Sequence, residues 1–108
     1  MSELVTGDDV AIPVTLRKDG ATFSIDSGAT IKASLISYAK DEIFITPQDV
    51  AEGTAGSDWA NSLVIVEFVS ADTLAIPQTG KAKIEIQVDD GGKLTWFTTI
   101  DVELGTIS

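Results

Sequence analysis

The residues able to do chemistry in this chain are few, and nearly all of them are carboxylates. Cysteine and histidine are absent. Without them neither a Ser-His-Asp nor a Cys-His relay can be assembled, and the usual ligands of zinc, copper and haem are missing. What remains is the paired aspartates Asp8-Asp9 and Asp89-Asp90, with Asp26. Acid–base catalysis needs carboxylates that converge in a cleft with shifted pKa values. Adjacent aspartates at strand ends are turn formers first, because Asp bonds its own nearby backbone. No catalytic residue and no cofactor is therefore expected. Calcium asks for roughly six to eight oxygens. Asp8, Asp9, Asp26, Asp89 and Asp90 can supply some of these only if one end of the fold gathers them, and no Asp-x-Asp-x-Asp-Gly spacing supports that. No metal site is assigned. Gly91-Gly92 reads as a hairpin tip, not a phosphate loop.

Recognition has better candidates than catalysis. Trp96 falls on the inward face of the last strand and reads as core. Trp59 stands in a polar, glycine-bearing stretch, either as a lid on the core or as an interface anchor. Phe97 points outward between Thr95 and Thr99, and Ile36 and Tyr38 fall on the outward face of another strand. Apolar residues gathered on a wet face mark partner surfaces. The expected partner-interface residues are Trp59, Phe97, Tyr38 and Ile36.

The elements that must position them are strands. Residues 81–104 alternate on both sides of Asp89-Asp90-Gly91-Gly92. Ala82, Ile84, Ile86 and Val88 share one face, and Leu94, Trp96, Thr98, Ile100, Val102 and Leu104 share another. Successive strand side chains point to opposite faces, so this is a hairpin with one dry side. Earlier strands are expected at 3–6, at 10–17, with Pro13 at an edge or bulge, at 29–38, and at 42–46, ended or bent by Pro47. A long loop over 49–62 precedes a strand at 63–69, with Val64, Val66 and Phe68 inward and Glu67 outward. Phe23 and Ile25 plug one end of the core. Residues 70–77 allow one helical turn, with Ser70 as its N-cap and Pro77 and Gly80 as its stop. No longer segment has a helical period, and there is no internal repeat.

The fold class expected is all-β, an antiparallel immunoglobulin-like β-sandwich of about seven strands, with 1–108 as a single domain. A small barrel or jelly roll is the alternative. The likeness is one of architecture, since the Cys…Trp…Cys pattern of antibody domains is lacking. Hydrophobic residues make up 44% of the 108, enough for a core. The net charge is −10, from 17 acids and 7 bases. That balance repels phosphates and anionic lipid, so neither nucleic acid nor membrane is an expected partner. The opening Met1-Ser2-Glu3-Leu4 does not read as a signal peptide.

Several stretches resemble the small immunoglobulin-like virion modules of tailed bacteriophages, such as the N-terminal domain of baseplate upper proteins. They are residues 7–16, Gly-Asp-Asp-Val-Ala-Ile-Pro-Val-Thr-Leu, with Asp19-Gly20; residues 23–35, which contain Gly28-Ala29-Thr30; and Ser70-Ala71-Asp72-Thr73 with Ile76-Pro77 and Gly80 before the terminal hairpin. The sequence departs from such modules at Lys81-Ala82-Lys83, where aromatic residues are usual, and in the loop 52–61. The resemblance implies a non-enzymatic virion protein, made in the host cytoplasm. As one module with no fibre domain attached, it would be a multi-copy capsid decoration or cement protein. Its partners would be the major capsid protein or tail and neck subunits, and it would be homo-oligomeric or many-copied on the particle. The alternatives are a tail, neck or baseplate adaptor, or a soluble module that binds protein or carbohydrate. The aromatic content of 6% argues against the carbohydrate reading.

Overall fold

The computed structural model describes residues 3–26, 28–76, 80–89 and 92–103. The strands are β1 (Glu3–Val5), β2 (Val10–Thr15), β3 (Thr30–Ser37), β4 (Ile43–Val50), β5 (Leu63–Phe68), β6 (Gly80–Asp89) and β7 (Lys93–Glu103). One short helix, α1 (Ser70–Leu74), joins β5 to β6, and a 3-10 turn at Trp59–Asn61 precedes β5. The chain is all-β in class.

The strands form a five-stranded sheet in the order β1-β7-β6-β3-β4 and a two-stranded sheet, β2-β5. The alternation in β6 and β7 sets the register of the larger sheet, with Ile84 opposite Thr98 and Ala82 opposite Ile100. The expectation of a wholly antiparallel arrangement is corrected at one edge. β1 lies parallel to β7, with Leu4 opposite Val102, so the larger sheet is mixed. The chain crosses to the smaller sheet after β1, which leaves the first strand beside the last one.

Both sheets contribute to one buried cluster. Ile12, Val64, Val66 and Phe68 come from the smaller sheet, and Leu4, Ile31, Leu35, Ile84, Ile86 and Ile100 from the larger. The inward set read for β6 is the buried set; in β5 Val64, Val66 and Phe68 are buried as read, and Ile65, on the other side, is buried too. In β7 burial grows along the strand: Ile100 and Val102 are buried, whereas Leu94 is exposed. Val88, opposite Leu94, is buried, so the exposure belongs to the margin of the sheet: β1 flanks β7 only at Asp101–Glu103, and the Leu94 end of β7 lies at an edge that the smaller sheet does not cover. Leu104, the last residue of the expected inward set, lies outside the described residues, as do Pro77 and the Asp90-Gly91 part of the tip.

Two boundaries differ from expectation. β4 does not end at Pro47 but continues to Val50, and the β3–β4 register shifts between Ala33 and Leu35 and again before Ile36. The irregularity accommodates a residue without a backbone N–H. Ser70 opens α1 but is not its cap. The cap position is Val69, and the Ser70 N–H is instead received by Asp9 Oδ1 at 2.7 Å. A carboxylate from the β1–β2 turn does the work that a local hydroxyl was expected to do.

Pro13 sits in β2, whose one partner among the described residues is β5. The Leu16 N–H reaches Ser62 O at 2.9 Å, so Leu16 belongs to a hydrogen-bonded pair. Alternation makes Pro13, opposite Ile65, a non-bonded position whose nitrogen faces the open edge. Proline there removes the central donor that another strand would need. Pro13→Thr restores it. Sedimentation of that variant is expected to show stronger concentration-dependent association than the parent, and an unchanged profile would mean that the edge is already covered.

Candidate interaction surface

The site is built on the outward face of the larger sheet. The side chains of β6 at Lys81, Lys83, Glu85 and Gln87 point away from the core, as do those of β7 at Thr95, Phe97 and Thr99. The register sets them in rows. Phe97 stands opposite Glu85, which stands opposite Ser34; Thr99 stands opposite Lys83, which stands opposite Ile36, which stands opposite Ile43. Three of the four expected interface residues, Ile36, Tyr38 and Phe97, are thus brought to one face. Ile43, read only as part of a strand, joins them and is 61% exposed. Its signal in the sequence was its parity with Ile36 across a hairpin, which is invisible until the register is known.

Two ammonium groups cover the aromatic rings. Lys40 Nζ lies 4.0 Å from the centroid of Phe97, and Lys83 Nζ lies 4.8 Å from that of Tyr38. Lys40 belongs to the β3–β4 turn, beyond the row of Ser37 and Ala82, so it reaches back across the sheet to Phe97. Ile36, in the middle row, is only 7% exposed although it is not part of the central cluster. Phe97 and Tyr38 keep 42% and 53% of their surface open.

The turn that carries Lys40 is fixed by Ser37. The buried Ser37 hydroxyl donates to Asp41 Oδ1 at 2.6 Å and accepts the N–H groups of Asp41 and Glu42 at 3.1 and 3.2 Å. The Lys40 N–H reaches Ser37 O at 2.9 Å. This closure places Lys40 at φ 65°, in the left-handed region. A residue with a Cβ loses about 1–2 kcal/mol there relative to glycine, while an exposed cation over a ring returns about 0.5–1 kcal/mol. The contact offsets only about half of the cost. Folding stability therefore does not account for a lysine at a position that suits glycine or asparagine.

The cations gather here, though not without acids. Of the 7 cations, all but Arg17 and Lys18 lie on this face or in its turn: Lys32, Lys40, Lys81, Lys83 and Lys93, with Asp49, Glu85, Asp89 and Asp101 on the same face and Asp41 and Glu42 in the turn. Among the described residues, ammonium–carboxylate contacts are confined to Lys32 with Asp49 at 3.2 Å and Lys81 with Asp101 at 3.9 Å. Lys40 and Lys83 are held by rings instead. Glu85, the acid in their midst, receives a long hydrogen bond from Ser34 Oγ at 3.4 Å.

Trp59, the fourth expected interface residue, is elsewhere. It is 5% exposed and belongs to the core cluster, so its ring is a lid and not a surface anchor. The polar loop around it closes on itself. Asp58 and Leu63 exchange two backbone hydrogen bonds of 2.9 Å, and Ile25 N–H reaches Trp59 O at 2.8 Å. Trp59 Nε1 is buried without a partner among the described residues. Gly56 in the same loop (φ 90°) faces the Ile65 side chain, so the segment also covers the outer side of β5. Trp96 is half-buried. Its ring stacks on Phe23 at 5.7 Å, and its Nε1 donates to Arg17 O at 2.9 Å.

The carboxylates considered for calcium do not share an end. Asp8 and Asp9 lie beside α1, near the Gly80 end of β6, whereas Asp89 closes that ten-residue strand at its other end and stands opposite Thr30, near Asp26. Among the described residues no three acidic side chains gather to hold a cation. Asp90 lies outside those residues. No protein-family model and no curated protein matches the sequence.

Proposed function

We propose that this protein is a non-enzymatic structural protein of a tailed bacteriophage virion, a small multi-copy capsid decoration or cement protein built as an immunoglobulin-like β-sandwich. The strand order supports the finer fold reading. A β7-β6-β3 sheet extended by β4 and opposed by β2-β5 parallels the variable-type arrangement, in which an additional strand joins the three-stranded sheet. The resemblance of residues 7–16, 23–35, 70–73 and 84–88 to phage virion modules supports the setting.

The observation that carries a binding role is the outward patch of Tyr38, Ile43 and Phe97, roofed by Lys40 and Lys83. A sheet face with no docking role has little reason to hold aromatic rings in the open under lysines. Ring faces already covered by ammonium groups are poorly placed to stack on sugars, which disfavours the carbohydrate alternative. The test is quantitative mass spectrometry of purified virions, separated into heads and tails. Many copies in the head fraction are expected. Recovery with the tails alone moves the protein to an adaptor role, and absence from both overturns the virion reading.

A further inference from the structure

The partner of the outward patch has a definable chemistry. We propose that Tyr38, Lys40, Ile43, Lys83 and Phe97 receive an acidic, apolar-tipped segment of another protein, its carboxylates meeting Lys40 and Lys83 and its apolar side chain lying beside Phe97, while Ile43, three strands away, borders the other side of the segment. The proposal rests on the binding role above and names what that role recognises. Charge complementarity is the first support. In a chain with 17 acids, these two ammonium groups have no carboxylate within 4.0 Å among the described residues, while Lys32 and Lys81 each have one. An ammonium over a ring is electrostatically half satisfied, and its other side faces water. A carboxylate arriving from that side completes it without displacing an existing partner.

The backbone supplies the second support. Lys40 holds a left-handed conformation at φ 65°, fixed by the one hydrogen bond that the Ser37 hydroxyl donates and the two that it accepts, and so presents its charge over Phe97 instead of trailing into solvent. Strain of this kind, kept in place by its surroundings, is characteristic of binding positions. Rigid placement of a long side chain lowers the ordering cost of association. A second copy of this chain is the less favoured occupant, because two bodies of charge −10 repel at long range.

The probe is a short capped peptide in which two glutamates flank a leucine, titrated into the isotopically labelled protein at low salt. Amide and lysine side-chain shifts are expected at Tyr38, Lys40, Ile43, Lys83 and Phe97, fading as salt is raised. The same peptide with lysines in place of glutamates leaves those signals unmoved. Lys40→Gly, which suits the turn and keeps the fold, and Lys83→Gln each weaken the interaction about tenfold, whereas Lys83→Arg retains it. Absence of shifts, shifts centred on another surface, or equal binding of both peptides overturns the proposal. So does binding of the protein to anionic vesicles through the same residues, or self-association through them in sedimentation. The copy number in virions is a separate measurement, so a particle protein that fails to bind this peptide is distinguishable from a binder that is not a particle protein.

Discussion

Phe68→Ala lowers the free energy of unfolding by about 3–5 kcal/mol. Phe68 heads the fully buried side chains by volume and stands opposite Val10 in the two-stranded sheet. A sheet of two six-residue strands has few side chains with which to cover the larger one. Removing its largest therefore leaves a cavity that neighbours cannot fill without moving a strand. A domain of this size is stabilised by about 5–15 kcal/mol in all, so the variant is expected to unfold at well under the parent's urea midpoint with an unchanged slope. The adjacent Glu67→Ala, on the exposed side of β5, is expected to shift stability by no more than about 0.5 kcal/mol. A Phe68 effect below about 1.5 kcal/mol would mean that the core collapses around the gap and that the smaller sheet is not the rigid cover described.

The second large effect is polar. Thr73 is 0% exposed, and its hydroxyl receives the Gly7 N–H at 3.0 Å and donates to Asp8 O at 2.7 Å. Asp9 returns the tie by accepting the Ser70 N–H. Helix α1 and the β1–β2 turn thus satisfy one another's orphan groups, which is how a five-residue helix persists between two strands. Thr73→Val keeps the shape and strands both backbone groups. The expected loss is about 1–2 kcal/mol: an unmet buried donor or acceptor costs about 1–3 kcal/mol, and with Gly7 half-buried and Asp8 exposed water meets part of the need. Amide exchange at Gly7 and Asp8 should accelerate well beyond that of β6. Thr73→Ser keeps the hydroxyl and loses only a methyl group, about 1 kcal/mol. If valine and serine prove equally mild, the staple is decorative and the helix is held by its neighbours alone.

The strands were legible wherever one face is dry. Ala82, Ile84, Ile86 and Val88 are buried because a period of two admits a single assignment once one face must leave water. The same rule found Ile36, Tyr38 and Phe97 as outward apolar residues, and the register then gathered them. Leu94 broke the rule because alternation reports which side a residue faces and not how far the opposing sheet extends. Trp59 was undecidable between lid and anchor, since a loop has no period to read. Its burial depends on Asp58, Leu63 and Ile25, contacts that no local pattern encodes. The Asp9 cap on α1 escaped for the same reason: donor and acceptor lie 61 residues apart. Pro47 left open whether β4 ends or bends, and the strand runs on to Val50 because the opposite strand absorbs the missing bond by shifting register. Lys40 carried no signal at all as a residue type. It matters through a backbone angle and through Phe97, which lies across the sheet.

The parallel pairing of β1 with β7 has a mechanical consequence. Glu3 stands opposite Asp101 and Val5 opposite Glu103, so both strands run the same way along one edge. A load applied upstream of Glu3 and downstream of Glu103 pulls the two strands in opposite directions along their length. The bonds of that pair are then strained together, in shear, and must yield as a set. Had the first strand paired antiparallel, the same tug would have opened it from one end like a zipper, one bond at a time.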